Sequence, residues 1–238
     1  MTSVLEKDLI KLKDALNEMW SKTISQISYA ADALLNNDKE SASKVILREK
    51  RIDAMELHID ELCEEIIALY SPVAVDLRFI LSALRINMNL ERIADFAYGI
   101  AKFAKKIDNL NLQAELINQL RIPEMFEALR EMMVLAQKSF FEENLDFAES
   151  VFIKDDYLDE IKRDSAQIVE KYILESPENI NKCLRLQGVI RKLERAGDHC
   201  VNIGEDIVFY TDAKTVKHSK LKHKSKTDGY DAEEADDF

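Results

Sequence analysis

Apolar residues recur every three or four positions along the first hundred residues, which is the spacing of helices that bury one face against a core. Three such stripes occupy residues 5–34, 45–69 and 79–104. Asp38 is suited to cap the second helix, and Ser71-Pro72 breaks the chain before the third, with Pro72 as its first helical residue. Because short connections place long helices side by side and antiparallel, the pattern predicts a three-helix bundle.

The same pattern returns in the second half of the chain. Three further apolar stripes cover residues 126–140, 151–172 and 186–207. Ser176-Pro177 breaks the chain between the last two stripes, as Ser71-Pro72 does in the first half. The sequence Leu-Glu-Arg-x-x-Asp occurs twice, at 90–95 and 193–198. These matching features indicate an internal duplication. We therefore predict an all-α fold of two tandem three-helix bundles, with six long antiparallel helices.

The least regular stretch, residues 108–122, separates the two halves. We expect the first bundle to span residues 1–108 and the second to span residues 109–212. Beyond about Asp212 the composition changes to a lysine-rich and then an acidic segment, which has too few apolar residues to form a core. Residues 213–238 are therefore predicted to be a charged, disordered tail.

Composition narrows the class of protein. Only five Gly and three Pro occur among 238 residues, which favours long uninterrupted helices. The formal net charge of −12 argues against nucleic-acid binding, because such proteins need a basic face. The three cysteines lie among apolar residues and are expected to be reduced core thiols. The sequence has neither a signal peptide nor an apolar run long enough to span a bilayer, so we expect the protein in the cytoplasm.

Pairs of acids separated by four residues recur at matching places in the two halves. The pairs are Glu49 and Asp53, Glu91 and Asp95, Asp155 and Asp159, and Glu194 and Asp198. Helical spacing places these side chains on outward faces and directs Arg92 and Arg195 away from them. Because the acids of antiparallel neighbours are displaced to the same side, the two pairs of each bundle are expected to line one shared groove. A like-charge pair at this spacing is mildly destabilising, which is a weak indication of a bound cation.

Carboxylate oxygens are hard ligands that suit Mg²⁺, Mn²⁺, iron or, less typically, Zn²⁺, so each groove is a candidate metal site. Two other interpretations remain open. The acids can be a solvated face of a helical scaffold without metal, or ligands of a carboxylate-bridged metallohydrolase that activates water. The sequence contains no H-E-x-x-H motif, P-loop or G-x-S-x-G motif, and it offers no further acid or base for a hydrolase. We therefore expect a protein that is not an enzyme.

Taken together, the motifs resemble those of the PhoU family of phosphate-uptake regulators. The stretch Leu193-Glu194-Arg195-Ala196-Gly197-Asp198-His199, followed by Asn202 and Ile203, is similar to the family signature. Val73-Ala74-Val75-Asp76-Leu77-Arg78 is similar to the family's V-A-x-D-L-R stretch. The resemblance covers about residues 1–212. The first half departs from the signature at three positions, where Ala94, Phe96 and Gly99 replace the counterparts of Gly197, His199 and Asn202.

The resemblance implies a non-enzymatic regulator that restrains phosphate uptake and the phosphate-starvation response when phosphate is plentiful. Members of the family bind multinuclear metal clusters through such acid pairs. This implies Fe, Zn, Mn or Mg ions held by the eight acids above, with Asn202 as an accessory ligand. The resemblance also implies two partners, the ATPase subunit of the phosphate ABC transporter and the phosphate-sensing histidine kinase. A homodimer is expected, attached to the membrane only through these partners.

Overall fold

The computed structural model describes residues 4–107 and 114–213, and within these ranges the chain is helical and contains no strand. The helices of these ranges are α1 (Val4–Leu35), α2 (Lys39–Tyr70), α3 (Ala74–Lys106), α4 (Ala114–Gln119), α5 (Ile122–Glu142), α6 (Leu145–Glu175) and α7 (Ile180–Asp212). A single 3₁₀ turn, Pro177–Asn179, precedes α7. The predicted all-α fold with six long helices is confirmed, and the short α4 is an addition to it.

Two parts of the predicted domain organisation lie outside the described residues. One is the boundary at residues 108 and 109, and the other is residues 214–238, which form nearly all of the predicted tail. The domain limits therefore remain predictions.

The local sequence determines where the first helices begin and end. Asp38 caps α2, because its carboxylate accepts hydrogen bonds from two backbone N–H groups of the first turn. The prediction that Pro72 opens the third helix was wrong, since α3 begins at Ala74. Residues 71–73 form a non-helical connection in which the chain reverses its direction, and Val73 is still extended, with φ of −129° and ψ of 163°. Ser71 ends α2 in a left-handed conformation, with φ of 46°.

Helices α1, α2 and α3 pack on one another, and α5, α6 and α7 do the same. The predicted apolar stripes face inward in both groups. Fully buried members include Leu16, Ile59 and Ile86 in the first bundle and Leu129, Leu158 and Leu193 in the second. The tandem three-helix bundles are therefore present as predicted, and their cores form one continuous apolar cluster.

The two bundles meet along α3 and α7, which lie antiparallel to each other, and also where α1 packs on α5. Near one end of this contact Arg78 Nε donates to the carbonyl oxygen of Tyr210 at 3.4 Å. Near its middle His199 Nδ1 donates to Asn89 Oδ1 at 2.8 Å. The rings of Phe96 and His199 lie 5.8 Å apart. Phe96 directly follows the first L-E-R-x-x-D motif, and His199 directly follows the second. Because these two equivalent residues contact each other, an approximate two-fold axis that relates the bundles passes beside them.

An aromatic cluster fills a second part of the contact between the bundles. The ring of Phe140 lies 6.0 Å from that of Trp20, 5.9 Å from that of Phe79 and 5.8 Å from that of Tyr210. Trp20 Nε1 donates to the carbonyl oxygen of Met133 at 3.1 Å, so the polar atom of this buried ring is satisfied. Side chains from α1, α3, α5 and α7 thus hold the bundles in one fixed arrangement.

The three cysteines, Cys63, Cys183 and Cys200, are buried free thiols, as expected from their apolar neighbours. In the described part of the chain, none of the helices combines the length and the apolar character needed to cross a bilayer.

Candidate metal site

Four acids approach one another on the second bundle. Asp155 and Asp159 lie one turn apart on α6, and Glu194 and Asp198 lie one turn apart on α7. Burial, followed by the negative charges of Asp198 and Asp159, raises the pKa of Asp155 to about 7. The Glu194 carboxylate contributes in the same direction. Because such interactions weaken with distance, the two helices bring these acids to a common groove, which we call the second groove.

Gly197 allows the two helices of the second groove to approach closely. A Cβ atom at this position would lie 2.6 Å from Leu158 Cδ1 and 3.0 Å from Asp155 Oδ1. The Asp155 carboxylate therefore occupies space beside the α7 backbone that any larger residue at position 197 would take. The small residue of the L-E-R-x-x-D motif thus has a direct role in placing one of the acids.

Glu194 does not take the outward position that helical spacing predicted. It is buried, with only 7% of its surface exposed, and Lys162 of α6 donates a hydrogen bond to its Oε1. The expectation was wrong because helical spacing describes one helix at a time. The side chain of Lys162, which contacts Glu194, belongs to the neighbouring helix. A protein cation therefore already lies in the second groove.

Four acids also converge on the first bundle, in what we call the first groove. Burial, followed by the charge of Asp95, raises the pKa of Glu91 to about 7. The pKa of Glu49 is raised by burial and then by the charges of Asp53 and Asp95. Glu49 and Asp53 belong to α2, and Glu91 and Asp95 belong to α3. The shared groove predicted from helical spacing is therefore present in both bundles.

Arg92 lies beside the acids of the first groove, contrary to the expectation that it points away. Its Nε is 3.5 Å from Glu91 Oε2, and its NH1 nitrogen is 3.9 Å from Asp95 Oδ2. A long arginine side chain can curl back along its own helix, and an argument from Cβ directions alone overlooks this freedom. The Arg195 guanidinium lies over the ring of Phe96, 5.1 Å from the centroid. Burial, followed by the charges of Glu194 and Asp159, raises the pKa of Asp198, and the charges of Lys162 and Arg195 partly oppose this rise.

Sequence reasoning missed two residues that decide the charge of the grooves. Lys162 follows Asp159 by three residues, and Glu56 follows Asp53 by three residues. Glu56 therefore occupies in the first bundle the position that Lys162 occupies in the second. Burial, followed by the charge of Asp60, raises the pKa of Glu56, and Asp53 and Asp95 act in the same direction. Extending each acid pair by one further turn on the same face would have revealed both residues.

Asn202, predicted as an accessory ligand, lies on α7 one turn beyond Asp198 and is exposed. Its counterpart in the first half, Gly99, has a different role. A Cβ atom at Gly99 would lie 2.8 Å from Lys192 Cε, so this glycine makes room for a side chain of the other bundle. Position 99 therefore lies at the contact between α3 and α7.

The donor chemistry of both grooves suits hard metal ions, since each presents carboxylate oxygens from two helices. Among the side chains of residues 4–107 and 114–213, however, no three from Asp, Glu, His and Cys are gathered closely enough to hold a metal ion. In the second groove the Glu194 carboxylate is engaged by Lys162 and would have to leave it to join the other three acids. The assignment of the eight acids as metal ligands remains a prediction.

The sequence is similar to proteins whose names refer to phosphate transport. The family model described as the PhoU domain matches residues 16–104 and again residues 122–207. A phosphate-specific transport system accessory protein PhoU homolog of Aquifex aeolicus is 32% identical over 220 residues, which cover 92% of this chain and 98% of that protein. The phosphate-specific transport system accessory protein PhoU homolog 1 of Thermotoga maritima is 29% identical over 229 residues, which cover 95% of this chain and 97% of that protein.

Two solved structures share the arrangement of the helices. The crystal structure of PhoU from Pseudomonas aeruginosa superposes with a TM-score of 0.82 at 28% identity, covering 87% of this chain and 99% of that one. The structure of the phosphate transport system regulatory protein PhoU from Streptococcus pneumoniae gives a TM-score of 0.77 at 25% identity, covering 89% and 99%. The similarity therefore includes the packing of the two bundles as well as the individual helices.

Proposed function

The chain belongs to the PhoU family, and from this premise we propose that it is a non-enzymatic regulator of phosphate transport. The observation that supports this function is the match of both bundles, over nearly the whole length, to relatives named as accessory proteins of the phosphate-specific transport system. The fold agrees with an accessory role, because its described part consists of long helices that offer extended faces to other proteins.

We place this function in the cytoplasm, between the ATPase subunit of the phosphate ABC transporter and the phosphate-sensing histidine kinase. In this proposal the protein reaches the membrane only through its contacts with these two partners. The protein acts as a homodimer in this proposal. When phosphate is plentiful, it restrains uptake and keeps the kinase in the state that represses the starvation response.

The two grooves supply the metal sites in this proposal. The first would use Glu49, Asp53, Glu91 and Asp95, and the second would use Asp155, Asp159, Glu194 and Asp198, with Asn202 beside it. Fe, Zn, Mn or Mg would each be compatible with carboxylate ligands. A bound ion would neutralise acids that repel one another and would link two helices of a bundle. Binding of this kind stabilises the folded state by mass action.

Metal analysis of acid-pair variants tests the metal sites. We expect Glu194→Ala with Asp198→Ala to remove the metal of the second groove, and Glu91→Ala with Asp95→Ala to remove that of the first, as measured by elemental analysis of the purified protein. Glu160→Ala with Asp164→Ala is the matched control. It removes an acid pair of the same spacing from α6, where both side chains are exposed and paired with Arg121.

Pull-down of the transporter ATPase subunit and the histidine kinase, from cells grown in high and low phosphate, tests the adaptor role. We expect both partners to be captured in high phosphate. If neither partner is captured under either condition, the adaptor role is wrong. If both are captured equally well by the wild type and by the groove variants, and the purified wild type carries no metal above background, the protein is a helical scaffold without metal.

A further inference from the structure

Lys162 is in direct contact with an acid of the second groove. Its ammonium donates a hydrogen bond to Oε1 of Glu194, from α6 to the facing helix α7. Lys162 follows Asp159 by one helical turn and Asp155 by two turns, so these three side chains share one face of α6. The lysine is therefore part of the lining of the second groove.

The ammonium of Lys162 is close to more than one of these acids. Its hydrogen bond to Glu194 is the main reason why the pKa of Lys162 is raised. The charges of Asp159 and Asp198 raise this pKa further, against the effect of burial. Since such interactions weaken with distance, the ammonium lies among three of the four acids. A metal ion bound by the same carboxylates would need this space.

The two partners of the ion pair differ in how freely they can move. The side chain of Glu194 is 9% exposed, whereas that of Lys162 is 43% exposed. A lysine ammonium is strongly hydrated and ends a flexible four-carbon stem, so Lys162 can turn toward water without moving α6. The Glu194 carboxylate is enclosed and has no such route. An exchange of cations at Glu194 would therefore occur by movement of the lysine.

The first groove is built differently at this point. Glu56 occupies there the position that Lys162 occupies in the second groove. Arg92, a cation beside the acids of the first groove, belongs to the same helix as these acids, and its Nε lies 3.5 Å from Glu91 Oε2. An ion pair of this length with an exposed arginine is weak. The binding of a buried acid by a lysine of the facing helix thus distinguishes the second groove.

We infer that Lys162 is the resident cation of the second groove, and that a divalent metal ion binds there by displacing its ammonium from Glu194. This inference rests on the metal sites proposed above and identifies a residue that regulates one of them. Both cations need the Glu194 carboxylate, and their charges repel, so the groove holds one at a time. Pairing of Lys162 therefore lowers the apparent metal affinity by about tenfold or more, the effect of a hydrogen bond to a charged group.

Titration of the full-length, chelator-treated protein with Mn²⁺ tests this competition, with the free ion measured by electron paramagnetic resonance. The background protein carries Glu91→Ala and Asp95→Ala, so that only the second groove is measured. We expect Lys162→Met in this background to bind Mn²⁺ about tenfold or more tightly than the background itself. The reason is that methionine keeps most of the aliphatic stem and removes the ammonium.

Lys154→Met in the same background is the matched control. It removes the same charge from the same helix, but the ammonium of Lys154 donates to Glu131 of α5. The Mn²⁺ affinity should stay nearly unchanged, because water and salt screen a cation outside the groove. Thermal unfolding followed by circular dichroism verifies that each variant is folded.

Acetylation of lysines, measured by mass spectrometry, follows the side chain of Lys162 itself. Without metal, the hydrogen bond to Glu194 should keep Lys162 protonated and slow to react. Saturating Mn²⁺ should speed its acetylation, because the displaced amine then lies in water. Lys171, an exposed lysine near Glu175 of the same helix, should react at the same rate in both conditions.

The outcomes separate this inference from the proposed function. Equal Mn²⁺ affinity with and without Lys162, or an equal gain from Lys154→Met, would overturn the inference and leave the metal site in place. An acetylation rate of Lys162 that bound Mn²⁺ does not change would do the same. If Mn²⁺ binds neither the background nor Lys162→Met, the second groove is not a metal site, and the inference falls with that part of the proposed function. Binding by Lys162→Met alone would support the inference most strongly.

Discussion

In the second bundle Lys162 lies in the groove and binds Glu194, whereas in the first bundle the same helical position is Glu56. The first groove thus contains a fifth acid, and its nearest cation is Arg92, which reaches the acids from an exposed position. Two grooves built on one duplicated template therefore differ in how their charge is compensated. The second is neutralised in part by Lys162, and the first by Arg92 beside Glu91 and by the charges of Lys102 and Lys50 near Glu49.

The two grooves also differ in how closely their helices approach. Gly197 lets Asp155 lie against the backbone of α7, while the first bundle has Ala94 at the same position. Ala94 is itself nearly fully buried, so α2 accommodates a methyl group there. A duplicated motif can therefore preserve the acids while the spacing between the helices changes. Three pairs of substitutions, each with one member in either groove, test this comparison, from the largest expected effect to the smallest.

Gly197→Ala should have the largest effect, because it gives the second groove the residue of the first. The added Cβ would lie 2.6 Å from Leu158 Cδ1, and relieving such a clash costs up to about 3 kcal/mol. Alanine regains about 1 kcal/mol of helix propensity. We expect a net loss of about 2 kcal/mol in the free energy of unfolding, measured by urea titration. The reverse change, Ala94→Gly, should cost about 1 kcal/mol or less, and equal effects of the two changes would contradict the proposed difference in spacing.

Asp155→Asn should change the pH dependence of stability in metal-free protein. The folded-state pKa of Asp155, about 7, lies above that of an unfolded aspartate, about 3.9. Between these values the folded protein binds more protons than the unfolded chain, so its stability falls as pH rises through this window. The variant has no carboxylate to titrate at this position, so its stability should not fall in this way. Between pH 5 and pH 8 its free energy of unfolding should exceed that of wild type by about 1–2 kcal/mol, measured by urea unfolding at each pH.

Glu91→Gln is the comparable test in the first groove, at the acid whose folded-state pKa is also about 7. The gain in the free energy of unfolding should be smaller than for Asp155→Asn, because Arg92 favours the ionised form of Glu91 and thus opposes the effect of burial. A pH-independent difference between wild type and either variant would show that the acid does not titrate in this window.

Removal of Lys162 or Arg92, the cations beside the acids, should have the smallest effects on the free energy of unfolding. The two effects should differ in size. Lys162→Ala leaves the buried Glu194 carboxylate without its ammonium partner and should cost about 1 kcal/mol at pH 7. Arg92→Ala removes an exposed ion pair and should cost less than about 0.5 kcal/mol. Thermal unfolding at low and high salt measures both, and only the Arg92 effect should disappear in high salt. Equal costs would mean that the two grooves are compensated in the same way.

The sequence predicted the six long helices and the two bundles correctly, because each buried stripe is a periodic pattern within a single helix. It also predicted which acids approach one another, since positions four residues apart on a helix share a face. It failed for Glu194, whose burial depends on a side chain from the neighbouring helix. It failed for Arg92 as well, since a flexible side chain can fold back to its own helix.

The sequence by itself determined the elements of this protein, its duplication and the candidate acids, because helical period and motif spacing are local properties. Only the tertiary structure decided which cation lies in each groove and how the two bundles pack around Phe96 and His199. It also brought the rings of these two residues to 5.8 Å from each other across the contact between α3 and α7. The physical reason is that these contacts depend on the relative rotation and separation of neighbouring helices, which no single helix encodes.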